Sequence, residues 1–465
     1  MYKNIILVFL ALKIILSSFF FSQQYSNITL LDHWHEDSIS TNSSFVRYSG
    51  CWGFRSNGTD YAVIGSTEGT HIFKISENKK LEFIDFVKGR YSSSMVSHRE
   101  YKTFNNYLYA VCDEGFSSLQ IIDLSHLPDS VSVSEDLYLP PFGRTHNLFI
   151  DTNNALLYLC KVTPFLDSTQ LASIPMRVFS LDSPSNPTLL WEGPNDISEV
   201  HDVYVHDNEA ILNCGFDGIR SYDFSNPSSP IFFQSLEFYN DQGYNHQGWL
   251  SPNKETYLFS DENKGMRIKK YRRLDDGSLI FESLFGTNSY SEKTPHNIQC
   301  DNEFAYVAYY NDGLRVFDMR VLPPQEIAYY NTYHPVISSN SSFTMNGAWG
   351  VHKYNNSHII VSDRQNGLFL FDFNRLSFSI PQNISEIYPN PSTQEENTYF
   401  RFPNNAYGLK ELSIFDSKGK KIKELSSSED TILKTKLKKG FYCIRFCYKN
   451  AFDEKQQHFL SLIVL

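Results

Sequence analysis

A pattern of apolar and polar positions recurs along the chain at intervals of roughly 45–55 residues. Each unit has a nearly continuous apolar run, then an acidic or glycine-containing turn, then a run in which apolar and polar residues alternate. A continuous apolar run is typical of a strand covered on both faces, whereas alternation is typical of a half-exposed strand. The pattern therefore predicts pairs of antiparallel strands repeated along the chain.

The apolar run occurs seven times. A short opening strand precedes each run, and outer segments such as LEFIDFV at 81–87 follow the alternating strand. Four short antiparallel strands in each of seven units predict an all-β fold, a seven-bladed β-propeller. The seventh unit ends after GLFLFDF at 367–373 without an outer strand, so we expect the orphan strand at 28–37 to complete it. The apolar runs lie at 61–66, 107–113, 156–162, 210–217, 256–263, 304–312 and 358–363.

Both ends of the chain differ from the repeats. The N-terminus has a basic start and an apolar run from Ile5 to Leu16 that Lys13 interrupts, which is typical of a signal peptide and too short for a membrane span. Near the C-terminus, Pro389 and Pro391 mark a boundary before a region of short strands. The predicted segments are a signal peptide at 1–22, a propeller at 23–378, a linker at 379–386 and a small β-sandwich at 387–465.

Composition and charge narrow the classes of partner. Aromatic residues make up 15% of the chain, which favours a folded, strand-rich protein. The formal net charge is −11, and the acidic excess lies before residue 385, because residues 385–465 carry 13 Lys+Arg against 10 Asp+Glu. An acidic body repels phosphate backbones, so we expect no nucleic-acid partner, whereas cations are not disfavoured.

Histidine opens the first strand in five of the seven units, and tryptophan (Trp52 and Trp349) opens it in the other two. In a propeller the innermost strand starts, and the second strand ends, on the same face of the disc. We therefore expect the histidines and the acidic residues that close the second strands to converge at one mouth of the central channel. The candidate ligand-binding or metal-ligating residues are His98, His146, His201, His246, His296, Asp202, Asp261, Glu262 and Asp363.

A ring of imidazoles and carboxylates suits a divalent ion such as zinc, manganese or iron, and a metal with an open position could activate water. The alternative is structural, because a residue that recurs in each repeat can also serve to tie its strand to a neighbouring loop. The sequence contains no nucleophile elbow, phosphate-cradling glycine loop or H-E-x-x-H motif, so no catalytic residue is assigned. We expect a binding module with an unidentified ligand; the alternatives are a metal-dependent hydrolase or lyase and a structural or adhesive surface component.

The repeats resemble those of the choice-of-anchor B family, a propeller with LVIVD-type repeats. The segments that carry this resemblance include YAVIGSTEGTHIF at 61–73, NHQGWLSPNKETYLFSDEN at 245–263 and VSDRQNGLFLFD at 361–372. The resemblance covers about residues 30–375 and implies a propeller with no assigned reaction.

The C-terminal region is similar to the type A sorting domain of the type IX secretion system. IYPNPS at 387–392, LSIFDSKGKKIKEL at 412–425 and KKGFYCIRF at 438–446 carry this resemblance. It implies a Bacteroidetes-type bacterium, the type IX secretion machinery as a partner, and export across both membranes to the cell surface or the medium. No transmembrane span is expected once the signal peptide is removed.

Overall fold

The computed structural model of the chain describes residues 27–167, 169–333, 345–375, 386–395, 397–402, 407–427, 432–449 and 455–465. The predicted signal peptide at 1–22 and residues 379–385 of the predicted linker lie outside the described residues. The described chain is all-β, and its one short helical turn is a 3-10 turn at Tyr290–Glu292. None of the described segments forms a helix with the length and apolar character needed to cross a membrane.

Seven antiparallel sheets of four strands each precede residue 375 in the described chain. The first four are β2 Tyr48–Ser56, β3 Thr59–Ser66, β4 Gly69–Ile75 and β5 Leu81–Lys88; β6 Arg99–Phe104, β7 Tyr107–Cys112, β8 Leu119–Asp123 and β9 Ser132–Leu137; β10 Arg144–Asp151, β11 Leu156–Thr163, β14 Ile174–Ser180 and β15 Thr188–Gly193; and β16 Asp202–His206, β17 Glu209–Asn213, β18 Ile219–Asp223 and β19 Ile231–Leu236. The last three are β20 Asn245–Leu250, β21 Thr256–Asp261, β22 Ile268–Arg273 and β23 Leu279–Phe285; β24 Ile298–Cys300, β25 Phe304–Ala308, β26 Leu314–Asp318 and β27 Gln325–Tyr330; and β28 Ala348–Lys353, β29 His358–Asp363, β30 Gly367–Phe373 and β1 Ile28–Trp34. A small hairpin, β12 Phe165–Leu166 with β13 Thr169–Gln170, extends the third sheet's loop.

The apolar strands are buried because neighbouring sheets cover both of their faces. Every residue of β25 is buried, whereas the outermost strand β19 is largely exposed. The core lies between sheets: one cluster joins β11 and β14 to β16 and β17 of the next sheet. The first strands of the sheets contact one another in the cyclic order β2, β6, β10, β16, β20, β24, β28 and β2 again.

The strand that precedes the repeats joins the last sheet. β1 pairs antiparallel with β30, from Ile28 opposite Phe373 to Trp34 opposite Leu368, with one register shift after Leu30. The outermost strand pair of each of the other six sheets also contains one register shift. β1 therefore occupies the position that the outermost strand holds in the other sheets.

Glycines at the start of third strands explain the recurring Asp-Gly and Asn-Gly turns. Gly218, Gly313 and Gly367 have φ of 76°, 78° and 93°, the left-handed region that glycine adopts without strain. A Cβ at Gly218 would lie 2.4 Å from the carbonyl oxygen of Leu236 in the outermost strand. At Gly367 the corresponding atom is the carbonyl oxygen of Trp34 in β1, at 2.1 Å.

The C-terminal domain has two sheets that share one core. Its core includes the buried side chains of Phe400, Ile414, Phe446 and Leu462. The sheets are β31 Glu386–Tyr388, β32 Thr398–Arg401 and β35 Ile432–Thr435; and β34 Lys421–Ser427, β33 Tyr407–Asp416, β36 Gly440–Lys449 and β37 Lys455–Val464.

If β1 is an integral strand of the last sheet, its buried face contributes to the stability of the whole ring. Ile28 is 3% exposed and packs in the core between the last two sheets, whereas Leu30 on the same strand is 36% exposed. We expect Ile28→Ala to lower the free energy of unfolding by about 2–4 kcal/mol and Leu30→Ala by less than about 1 kcal/mol. Urea unfolding measures both, and equal effects of the two changes would contradict this placement of β1.

Candidate functional site

Six aromatic rings lie side by side where the innermost strands begin. Successive ring centroids are 4.0, 4.2, 4.3, 4.3 and 4.2 Å apart, and the last and first rings are 5.2 Å apart. The five predicted histidines thus converge, as the repeat pattern indicates. In order, the rings belong to His98, His146, His201, His246, His296 and Trp349.

The expectation that Trp52 shares the position of Trp349 is wrong. Trp349 lies at a register shift between β28 and β29, and the corresponding shift in β2 falls at Ser49 and Gly50. Trp52 comes after this shift, and its Nε1 donates to Thr103 Oγ1 at 3.1 Å. The first sheet therefore contributes small residues, and six rings rather than seven form the histidine ring.

Backbone carbonyls fix the tautomers of two histidines. His201 Nδ1 lies 2.8 Å from the carbonyl oxygen of His246, and His296 Nδ1 lies 2.5 Å from that of Trp349. Because a carbonyl oxygen only accepts, each Nδ1 carries a proton, and the neutral ring then has its lone pair at Nε2. Such an orienting hydrogen bond is the usual second interaction of a metal-binding imidazole.

A chain of short contacts joins Asp113, His146 and His201. His146 Nε2 lies 2.7 Å from His201 Nε2, and His146 Nδ1 lies 2.7 Å from Asp113 Oδ2. Since His201 Nε2 carries the lone pair, His146 donates to it, and the contact with Asp113 needs a further proton. The Asp113–His146 pair therefore shares one proton beyond a neutral imidazole and a carboxylate.

Glu262 follows β21 and faces two of the imidazoles. Its Oε2 lies 3.7 Å from His246 Nε2 and its Oε1 lies 3.8 Å from His296 Nε2. The hydroxyl of Tyr310 donates to Glu262 Oε1, and burial raises the pKa of this carboxyl. His246 Nδ1 is buried and has no hydrogen-bond partner among the described residues.

Burial keeps the histidine ring neutral. It lowers the pKa of His201 and that of His246 to about 3. Burial, and next the neighbouring imidazoles, hold the pKa values of His98, His146 and His296 well below the ordinary value. The imidazoles therefore present lone pairs at neutral pH, which is the form that binds a metal ion.

The potential ligand atoms fall into two groups. Within each group, one atom from each of three side chains lies within 4.8 Å of the others. The groups are His98, Asp113 and His146, and His201, His246 and Glu262.

Two predicted site residues, Asp261 and Asp363, lie away from the ring. Asp261 is fully buried and pairs with Lys269 Nζ at 2.9 Å inside its own sheet. Asp363 accepts from Thr332 Oγ1 at 2.7 Å and from the backbone N–H of Gln365 at 3.0 Å. Both ends of β-strands alternate their side chains between faces, so the residue after Asp261, Glu262, faces the channel and Asp261 does not.

Asp202 lies in a separate layer of the channel. It lines a narrow cavity of about 30 Å³ together with Glu100, Lys102 and Gln247, and its Oδ1 accepts from Asn147 Nδ2 at 3.0 Å. Burial raises the pKa of Asp202 and that of Glu100 to about 7, and Lys102 opposes the shift. Asp202 is therefore not among the groups that face the imidazole Nε2 atoms.

Tyr310 and Glu100 were not anticipated as site residues. The sixth unit reads AYYND where the fifth reads FSDEN, so the sequence already shows a tyrosine in place of an acidic residue. Glu100 Oε1 accepts from Trp349 Nε1 at 3.0 Å and lies 3.6 Å from His98 Nε2. Glu100 thus joins the histidine ring to the cavity that contains Asp202.

Comparison with known proteins identifies the C-terminal domain and the class of fold. Residues 386–458 match the family of secretion system C-terminal sorting domains. This domain is the segment that the type IX secretion machinery recognises, so the protein is secreted to the cell surface or the extracellular space.

The chain is similar in structure to two solved β-propeller or enzyme chains. The β-propeller domain of Cps50 (Swd1) from Myceliophteria thermophila matches with a TM-score of 0.51 at 10% identity, over 75% of this chain and 99% of that chain. A putative 6-phosphogluconolactonase from Bacteroides uniformis matches with a TM-score of 0.50 at 15% identity, over 71% and 93%. No curated protein matches the sequence. At these identities the matches show the fold alone: the protein is a secreted β-propeller.

Asp363 provides a test of the correction made above. Burial raises its pKa to about 6 in the folded protein, above the ordinary value of about 3.9. The folded state thus holds the proton more tightly, and this stabilisation is present at low pH and lost as the pH rises through about 6. Asp363→Asn keeps the shape without the charge, so the variant should gain up to about 3 kcal/mol on the wild type between pH 4 and 7.

Urea unfolding at a series of pH values measures this difference. Glu77→Gln, at an exposed turn, is the control and should differ from the wild type by less than about 0.5 kcal/mol throughout. A difference for Asp363→Asn that does not change with pH would show that the buried carboxyl does not titrate in this range.

Proposed function

We propose that this secreted protein is a binding module whose propeller holds a divalent transition-metal ion in the histidine ring at the mouth of its channel. The proposal includes a single closed ring of seven blades, with β1 as the outer strand of the seventh. It also keeps the resemblance to the choice-of-anchor B family as a prediction.

Three features favour the closed seven-bladed ring. The innermost strands contact one another in a cycle without a gap. The β1–β30 pair has the same kind of register shift as the other outermost pairs. Gly367 approaches a carbonyl of β1 as Gly218 approaches a carbonyl of β19.

The observation that carries the metal proposal is the group formed by His201, His246 and Glu262. Its three ligand atoms lie within 4.8 Å of one another, and both imidazoles are buried. The hydrogen bond from His201 Nδ1 to a backbone carbonyl orients that ring with its lone pair inward. Two imidazoles and one carboxylate are a ligand set that zinc takes in proteins.

The second group, with His98, Asp113 and His146, is less suited to hold the ion. Asp113 is already engaged by His146 at 2.7 Å and by Arg144 Nε at 3.5 Å. A cation in this group would have to displace the proton that Asp113 and His146 share. We therefore place the ion at His201, His246 and Glu262.

Binding is favoured over catalysis by the packing of the ring. Neighbouring imidazole centroids are 4.0–4.3 Å apart, which is the contact distance of aromatic side chains and leaves no space between them for a substrate. A three-ligand site nevertheless has an open position facing the mouth, so hydrolysis or elimination at that position is the second candidate function. A purely structural role for the ring is the third, and it predicts no metal.

Metal analysis with matched variants tests the proposal. We expect the purified protein to bind one zinc ion per chain, and His201→Ala with His246→Ala to weaken the affinity by more than about 100-fold, because two ligands are lost. His126→Ala, on an exposed loop, is the control and should bind as the wild type does. Elemental analysis gives the stoichiometry and isothermal titration calorimetry gives the affinity.

A variant of the same shape guards against a folding artefact. Glu262→Gln removes one charged ligand without changing the size of the side chain, and it should weaken zinc binding by about 10- to 100-fold while circular dichroism stays unchanged. No bound zinc in the wild type, with all variants folded, would leave the histidines structural. Equal affinities of the wild type and the double variant would place the metal elsewhere.

A further inference from the structure

Arg364 is a buried arginine at the channel mouth. It follows β29 in the last sheet and is 7% exposed. Its guanidinium carbon lies 4.6 Å from the centroid of the Trp349 ring, and that ring contacts His296 and His98 on either side. Arg364 therefore lies beside the histidine ring.

The guanidinium of Arg364 is poorly satisfied. Its Nη1 donates to the carbonyl oxygen of Met345 at 2.8 Å, but its Nε is buried without a hydrogen-bond partner in the described chain. None of the described carboxylates forms an ion pair with it. The undescribed residues 334–344 next to Met345 contain no Asp or Glu, so that segment has no carboxylate to offer.

Other buried arginines of the described sheets are compensated. Arg315 pairs with Asp312 at 2.9 Å, and Arg320 pairs with Asp318 at 2.7 Å. Arg99 has no carboxylate, but its guanidinium donates to two backbone carbonyls, at 2.7 and 2.6 Å. A buried charge without such partners is costly, so it points to a partner that arrives from solution.

From the buried, unpartnered Nε and the stacking on Trp349, we infer that Arg364 binds the carboxylate group of an external ligand at the mouth of the channel. Arginine matches a carboxylate with two parallel N–H donors, and the indole face holds the guanidinium plane in place. This inference rests on the proposed role of the mouth as a ligand site, but it does not require the metal ion.

The charge of the mouth favours a carboxylate over a phosphate. Asp113 and Glu262 contribute negative charge near the ring, and Arg364 is affected electrostatically by Glu262 and Glu114. One guanidinium in this setting compensates one negative charge, whereas a phosphate dianion would bring two. The ligand class is therefore a monoanionic carboxylate, such as that of an acidic sugar or a small organic acid.

Saturation-transfer NMR with acetate as the probe tests the inference on the metal-free protein in the presence of EDTA. We expect acetate to bind saturably and its uncharged analogue acetamide not to bind. Arg364→Gln should weaken acetate binding by at least about tenfold. Arg55→Gln, whose side chain is 60% exposed on an outer hairpin, is the matched control and should bind acetate as the wild type does.

Each other outcome overturns the inference and leaves the metal proposal to its own test. Equal acetate binding by the wild type and Arg364→Gln would exclude this site. Acetate binding that requires zinc and survives in Arg364→Gln would assign the carboxylate to the metal instead. Inorganic phosphate binding more tightly than acetate would overturn the ligand class. A loss of thermal stability in Arg364→Gln without a change in acetate binding would make Arg364 structural.

Discussion

The packing of the innermost strands around one axis is the constraint on which the rest of the structure depends. Each sheet buries its apolar strands only against its two neighbours, so the first strands meet in a cycle. Side chains at equivalent positions of different repeats must then lie within contact distance of one another, as the centroid distance of 4.2 Å between His146 and His201 illustrates. A residue type repeated along the sequence becomes a concentrated chemical group in space.

This convergence explains why polar groups are buried so close together. Five imidazoles share a space from which water is largely excluded, and burial keeps them uncharged. The acidic groups divide into those that face the ring, such as Glu262, and those that stabilise their own sheet, such as Asp261 with Lys269. Uncharged donor atoms beside a single carboxylate form a site that attracts a cation without strong competition from protons.

The sequence allowed the sheets and the histidine ring to be predicted, because both depend on repeats that the apolar pattern makes visible. It did not allow the face of single residues at strand ends to be predicted. A register shift of one residue places Gly50 rather than Trp52 level with the ring, and alternation turns Asp261 away while Glu262 faces inward. The unpaired state of Arg364 depends on distances between different sheets, which no local pattern encodes.

The central claim is that the convergent imidazoles hold a metal ion. Anomalous diffraction at the zinc absorption edge, from crystals grown with zinc, tests it most directly. The account predicts a peak about 2.0–2.2 Å from ligand atoms of His201, His246 and Glu262. Anomalous peaks confined to the outer surface, with the contact between His146 and His201 still in place, would contradict it.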